Sequence, residues 1–126
     1  ANPLTAMFGT VHGEAVGVML PHVLRYNAQL RDAEDIYAEI ALRSGVAPAG
    51  STARQAAASL IDHIERLLDA ATISLKYPAG ATDARTIALL SAQAARQWTG
   101  QFNPRTVTEE DFSALYRAAA DRVTSN

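Results

Sequence analysis

Apolar residues recur along this chain at the three- and four-residue spacing of helices, and the pattern predicts five helices. The first, Val11 to Asn27, is apolar on nearly all sides, which is typical of a helix at the centre of a core. The second, Asp32 to Ser44, is predicted to turn one face inward, made of Ile36, Tyr37, Ile40 and Ala41. Gly45 follows at a position where glycine often ends a helix.

Three further helices are predicted in the second half of the chain. Ser51 to Ala71 carries the clearest single apolar stripe, made of Leu60, Ile61, Ile64, Leu67, Leu68 and Ala71. Thr82 is the predicted cap of a fourth helix, which runs to about Trp98. Thr108 opens a fifth helix with the spacing of a capping box, and the predicted inward face of that helix is Phe112, Leu115, Tyr116, Ala119 and Val123.

These elements predict an all-α fold, a compact bundle of about five helices. Short alternating runs typical of strands are missing, and alanine is abundant throughout. The length of 126 residues is that of one domain and is enough to bury a core. Because no repeat or low-complexity linker divides the chain, residues 1–126 are predicted to form a single helical domain.

Composition excludes several classes of function. The net charge is -2 with no basic patch, so nucleic acid is not an expected partner. The chain has no cysteine, which removes disulfides and thiolate sites and fits a cytoplasmic location. The longest apolar stretch, Ala15 to Leu24, is interrupted by Pro21 and His22, so no membrane span is expected. Ala1 to Phe8 shows no basic segment before an apolar run, so no signal peptide is expected.

Three histidines are the candidate metal ligands. His12 and His22 are ten residues apart in the predicted first helix, which separates them by about 15 Å along the axis, too far to share one ion. His63 lies beside the apolar stripe of the third predicted helix and is most simply a partly buried helix residue. No pair of ligands has one-turn spacing, so any metal bound by His12 needs ligands from outside the chain.

No motif for binding a nucleotide is present. The chain has neither the glycine-rich Rossmann fingerprint nor a P-loop, and it has no nucleophile signature. Gly9, Gly13 and Gly17 repeat every four residues. Close packing in the core is the favoured interpretation of this repeat, and contact with a cofactor is the alternative.

Two runs of residues, one near each end of the chain, match a known sequence pattern. The first run comprises Asn2-Pro3-Leu4-Thr5-Ala6, Phe8-Gly9, His12-Gly13-Glu14-Ala15-Val16-Gly17, Leu20-Pro21-His22-Val23 and Tyr26-Asn27. The second comprises Asn103-Pro104-Arg105, Thr108-Glu109-Glu110-Asp111 and Leu115-Tyr116. In this order they resemble the C-terminal helical domain of the iron-containing (group III) alcohol dehydrogenase family.

The resemblance implies a two-domain protein that binds a metal ion. In the family, an N-terminal α/β domain binds NAD or NADP, and the helical domain holds a divalent metal with one aspartate and three histidines. The last of those histidines matches His12, and the other ligands would lie upstream of Ala1. Many relatives carry a histidine linked to proton relay where this chain has Asn2, so that role is in question here.

The predicted function is the metal-binding part of an iron-dependent, NAD(P)-linked alcohol dehydrogenase. His12 is the predicted ligand for iron or zinc, no catalytic residue is assigned, and activity is expected only with the missing N-terminal part. That nucleotide-binding domain is the expected partner, and self-association through apolar surface is also expected. Two alternatives are a stand-alone helical module for assembly or binding, and a fragment without a function of its own. The start at Ala1, without an initiator methionine, is interpreted as processed or truncated.

Overall fold

The computed structural model describes residues 1–9, 12–71, 78, 81–97 and 102–124. Regular secondary structure in these residues is helical throughout, without a strand, so the predicted all-α fold is confirmed. No helix in the described ranges combines the length and the apolar character that crossing a bilayer requires. The helices of this part of the chain are α1 (Asn2–Phe8), α2 (His12–Ala28), α3 (Arg31–Arg43), α4 (Ala53–Ala70), α5 (Ala84–Arg96) and α6 (Glu109–Thr124).

Helices α2 to α6 correspond to the five predicted helices, and α1 is an additional short helix ahead of them. Pro3 lies in the first turn of α1, where its fixed φ and missing N–H suit a helix start. Gly9 ends the helix in the left-handed conformation, with φ 64°, and its N–H donates to the carbonyl of Thr5. The chain therefore leaves the axis of α1 at Gly9.

Side-chain caps mark where the later helices begin. The Thr52 hydroxyl accepts from the backbone N–H of Gln55, whose side chain accepts from the N–H of Thr52, so α4 opens with a complete capping box. Helix α5 begins one residue later than predicted from Thr82. Its cap is Asp83, which accepts from the backbone N–H of Thr86.

The larger of two buried clusters lies where α1, α2, α5 and α6 meet. Leu4, Leu90 and Tyr116 are its largest fully buried side chains, each at most 1% exposed. In α4, Leu60 and Ile61 of the predicted stripe are buried, but its extension to Leu67 and Ala71 was wrong, because both are exposed. Of the face predicted for the last helix, Leu115, Tyr116 and Ala119 are buried in the larger cluster, Phe112 is partly buried against it, and the side chain of Val123 lies outside the described ones. This cluster fixes α1 and α2 relative to the α5–α6 pair.

The smaller cluster lies between α3 and α4 and consists mainly of alanine. Ala38 and Ala41 are buried, whereas Ile36 and Ile40 are 57% and 48% exposed. Ala41 was predicted to face inward and does, but the assignment of both isoleucines to that face was wrong. Small side chains let the two helix backbones approach closely, and this packing turns the bulkier residues outward.

Helix α2 is also tied to α4 through charge. Arg25 forms an ion pair with Glu65, and its guanidinium lies 3.6 Å from Oδ1 of Asp62. Arg25 and Asp62 are well exposed, so this contact contributes little to the free energy of unfolding. It links α2 to α4 at the surface.

Truncating Leu90 tests the larger core. Leu90→Ala is expected to lower the free energy of unfolding by about 2–5 kcal/mol, because it removes buried methyl groups and leaves a cavity. Leu89→Ala is the matched control, since Leu89 is 50% exposed and should change it by less than about 0.5 kcal/mol. Urea unfolding followed by circular dichroism measures both. Equal losses in the two variants would contradict this core.

The pKa of Tyr116 predicts a loss of stability in alkali. Burial raises this pKa from 10.0 to about 12, so the folded chain holds the phenol proton more tightly than the unfolded chain. Stability is therefore unaffected below about pH 10 and falls as pH rises towards 12, by on the order of 2 kcal/mol. Tyr116→Phe should remove this part of the alkaline loss in urea titrations at pH 9 to 12. An unchanged slope in the variant would contradict the assignment.

Candidate metal-binding cavity

His12 stands at the rim of a cavity between the helices. It is the first residue of α2, its side chain is exposed, and it lines a cavity of about 530 Å³. In the part of the chain that the structure describes, no hydrogen bond or ion pair engages its ring. An imidazole whose nitrogens are uncommitted at a cavity rim is able to bind a metal ion. Its role as a ligand stays a prediction.

The space next to His12 is open as well. A Cβ atom added at Gly13 would meet no atom of the described residues within 4 Å, so packing among those residues does not explain that glycine. Gly9 is in a left-handed turn, and Gly17 is buried in α2. The three regularly spaced glycines therefore serve different purposes, and Gly13 leaves room for a group from outside the described chain.

The cavity is built from five parts of the fold. Its rim comes from α1 and the start of α2, its floor from α2, α5 and α6, and one wall from residues 102–107. Its size is that of pockets which bind small molecules. The residues that line it are Ala1, Asn2, Pro3, His12, Val23, Tyr26, Ala94, Gln97, Phe102, Asn103, Pro104, Val107, Phe112 and Leu115.

Asn2 and His12 line the same cavity, and this proximity depends on α1. Asn2 is the exposed first residue of α1, and the turn at Gly9 brings that helix back against α2. The side-chain amide of Asn2 can donate and accept hydrogen bonds but does not titrate. It can therefore orient a polar group in the cavity, and it cannot pass a proton as a histidine does.

The other two histidines do not join His12. His22 lies within α2 and His63 within α4; both are partly buried, and neither lines the cavity. This agrees with the prediction that His12 and His22 cannot share an ion. Among the described residues no group of three or more metal-binding side chains comes together. Within the described ranges, His12 is therefore a single candidate ligand rather than part of an assembled metal site.

Tyr26 joins the far end of α2 to the segment before α6. Its hydroxyl lies 2.6 Å from the carbonyl oxygen of Thr106 and 2.9 Å from Oδ2 of Asp111, so one proton serves two acceptors. Desolvation, and then the hydrogen bond and negative charge of Asp111, raise the pKa of the Tyr26 phenol. Tyr26 therefore stays neutral and acts as a donor at physiological pH.

Arg105 covers the ring of Tyr26. Its guanidinium carbon lies 4.0 Å from the ring centroid, a cation–π distance. Nη1 of Arg105 also donates to the carbonyl oxygen of Tyr26 at 3.0 Å and to Oε1 of Gln29 at 2.7 Å. One side chain thus binds the ring, the backbone and a neighbouring residue of the same helix end.

Asn27 and Asn103 form a reciprocal amide pair beside Arg105. Nδ2 of Asn27 donates to Oδ1 of Asn103 at 2.9 Å, and Nδ2 of Asn103 donates to Oδ1 of Asn27 at 2.6 Å. Nδ2 of Asn103 also donates to the carbonyl oxygen of Arg105 at 2.7 Å. Asn27 is only 3% exposed, so leaving its amide without partners would be costly.

Asp111 connects this network to the start of α6. Its Oδ2 accepts from the backbone N–H and the hydroxyl of Thr108, and the backbone N–H of Asp111 donates to that hydroxyl. The predicted capping box with aspartate in place of glutamate is confirmed. Hydrogen bonds from Thr108, and then from Tyr26, hold the pKa of Asp111 below 3.8.

Sequence reasoning did not find this network. Tyr26, Asn27, Asn103 and Arg105 were noted only as parts of a sequence resemblance, and no role was assigned to them. The hydrogen bonds that join the end of α2 to residues 103–111 span 76 to 85 positions along the chain, and no local spacing reports such a contact. The available sequence signal for the network is that both runs of the resemblance contain asparagine and that the second also contains an arginine.

Comparisons with known proteins agree with this architecture. The model of the C-terminal part of the Fe-containing alcohol dehydrogenase family matches residues 1–120. Lactaldehyde reductase of Escherichia coli K12, and that of Escherichia coli O157:H7, are each 35% identical to this chain over 122 residues. The match covers 94% of this chain and 31% of each relative, so the chain spans about a third of their length. No solved structure matches the chain.

The carboxylate of Asp111 predicts a loss of stability in acid. Because its pKa is lowered in the folded chain, its contribution is present above about pH 4 and is lost as pH falls through the lowered value. Asp111→Asn, which cannot titrate, should be less stable than the unmodified chain at pH 6 and converge with it near pH 2. Glu110→Gln on the exposed face is the control. A stability difference that stays constant with pH would contradict this role.

Proposed function

We propose, on the premise that this chain belongs to the iron-containing alcohol dehydrogenase family, that it forms the metal-binding helical part of an NAD(P)-linked alcohol dehydrogenase. One observation carries the proposal: the exposed ring of His12 stands at the rim of a cavity, with open space beside Gly13. A buried histidine with both ring nitrogens hydrogen-bonded at this position would have argued for a purely structural role.

The side chains at the cavity fit a metal in part. Neutral imidazole is a good ligand for iron and zinc, and His12 supplies one. The resemblance assigns the other ligands, an aspartate and two histidines, to residues upstream of Ala1. The metal, when bound, supplies a Lewis acid that polarises the oxygen of an alcohol or aldehyde. No catalytic residue is assigned in this chain itself.

The residues of this chain would hold the metal, orient the substrate and exclude water from it. His12 would hold the metal, and the amides of Asn2 and Gln97 offer hydrogen bonds to a polar group in the cavity. Val23 and Leu115 line the cavity with apolar side chains that displace water around the substrate. Because its amide does not titrate, Asn2 does not transfer a proton itself.

The nicotinamide cofactor and its domain complete the proposed enzyme. The chain shows no nucleotide-binding motif, so NAD or NADP would bind to the N-terminal domain, which is the proposed partner. We also propose self-association, for which the exposed Ile36 and Ile40 of α3 provide apolar surface. A cytoplasmic location fits a chain without cysteine.

The relatives suggest the type of reaction. Lactaldehyde reductase is named for the reduction of an aldehyde, and the chain matches a third of it at 35% identity. We extend this to interconversion of a small alcohol and its aldehyde. The cavity of about 530 Å³ is large enough for such a molecule.

Replacing His12 tests the ligand role. In the longer protein with its upstream part restored, His12→Ala should lower metal affinity by at least about tenfold and abolish most alcohol oxidation. Loss of a supporting outer residue already costs 10–100-fold, and loss of a ligand should cost no less. Metal content by mass spectrometry and NAD(P)H formation measure this. His63→Ala is the matched control, because His63 lies away from the cavity.

The alternative, a helical module without catalysis, predicts a different result. If metal binds the folded protein, removing it with a chelator should lower the melting temperature of the longer protein by several degrees. Retention of metal and activity in His12→Ala would contradict the proposed ligand. The alternative would be supported if the chelator leaves the melting temperature unchanged and if His12→Ala changes neither the melting temperature nor the metal content.

A further inference from the structure

Residues 102–107, here called the partition, form one wall of the cavity that His12 lines. Phe102, Asn103, Pro104 and Val107 line this cavity. A second cavity of about 280 Å³ adjoins it, and the residues that line both are Ala94, Gln97, Asn103, Val107 and Phe112. The partition therefore borders open space, and specific contacts help to keep its position.

The partition turns apolar side chains to the His12 cavity and polar ones to α2. Phe102, Pro104 and Val107 face the cavity, and Phe102 is 74% exposed. Arg105 does not line the cavity and binds Tyr26 and Gln29 instead. The polar contacts of this segment therefore fix it to α2, and Val107 also packs against the larger core. Phe102, Pro104 and Val107 supply the apolar lining of the cavity on this side.

Arg105 is the residue that makes most of these contacts. It binds the ring and the carbonyl oxygen of Tyr26 and the side chain of Gln29, and its own carbonyl accepts from Asn103. Lysine has a single ammonium and cannot reproduce a planar group that stacks and donates at once. The guanidinium of Arg105, which does not line the cavity, thus holds the partition to α2 together with the Asn27–Asn103 pair and the bond from Tyr26 to the carbonyl oxygen of Thr106.

We propose that Arg105 is a positioning residue, which holds residues 102–107 as the wall against which the carbon chain of a bound alcohol packs. The inference rests on the proposed function. It adds the part of the protein that determines specificity for the length of the alcohol's carbon chain. The apolar side chains Phe102, Pro104 and Val107 form the contact surface, and Arg105 keeps it in place.

The test compares a series of unbranched primary alcohols, from ethanol to pentanol, as substrates of the full-length, iron-loaded protein. With the wall in place, kcat/KM should rise by up to about fourfold per added methylene, which corresponds to about 0.8 kcal/mol per buried CH₂ group. In Arg105→Ala the ratio between successive alcohols should fall towards one, while ethanol turnover and iron content change little. Arg105→Lys should keep part of the rise.

Two further variants keep the result interpretable. Arg96→Ala is the matched control, because Arg96 is exposed and, among the described residues, bonds to Ala92 of its own helix. It should leave the chain-length series unchanged. Val107→Ala shortens the wall without touching Arg105, so it should also flatten the series even if Arg105→Ala fails to fold.

The outcomes separate this inference from the proposed function. Iron-dependent ethanol turnover with a flat series in the unmodified protein would overturn the inference and leave the proposed function standing. An unaltered slope in both Arg105→Ala and Val107→Ala, or equal flattening in Arg96→Ala, would also overturn it. Absence of any iron-dependent alcohol turnover would overturn the proposed function, and the inference with it.

Discussion

Burial of one side of α2 against its neighbouring helices is the constraint on which the rest of the structure depends. Ala15, Val18 and Met19 are buried in the larger core, and this fixes the direction of the helix. One end then presents His12 at the cavity rim, and the other end presents Tyr26 to the segment before α6. The candidate ligand and the wall of its cavity are therefore positioned by the same helix.

Much of the fold could be predicted from the sequence, because helical periodicity and capping are local. The box formed by Thr108 and Asp111 is an example, since both partners lie within one turn. The outward position of Ile36 and Ile40 could not be predicted in this way. Two neighbouring faces of α3 are both apolar enough to be buried, and the close approach of α4 decides in favour of the alanines.

The sequence predicts one residue of the candidate site, His12, but not the residues that surround it. The resemblance points to His12. Its exposure at the cavity depends on its place as the first residue of α2 and on the turn at Gly9. Its proximity to Asn2 requires that α1 fold back, and α1 was not predicted. The pair of Asn27 and Asn103 joins residues 76 positions apart, so it follows only from the assembled tertiary structure.

The central claim is that His12 supplies one bond to a metal whose other ligands belong to the rest of the protein. A crystal structure of the longer, metal-loaded protein, with anomalous diffraction recorded at the absorption edge of the metal, tests it most directly. We expect an anomalous peak about 2.1 Å from a ring nitrogen of His12, which is the length of an imidazole–metal bond. A peak bound by other residues, with the His12 ring turned to solvent, would contradict it.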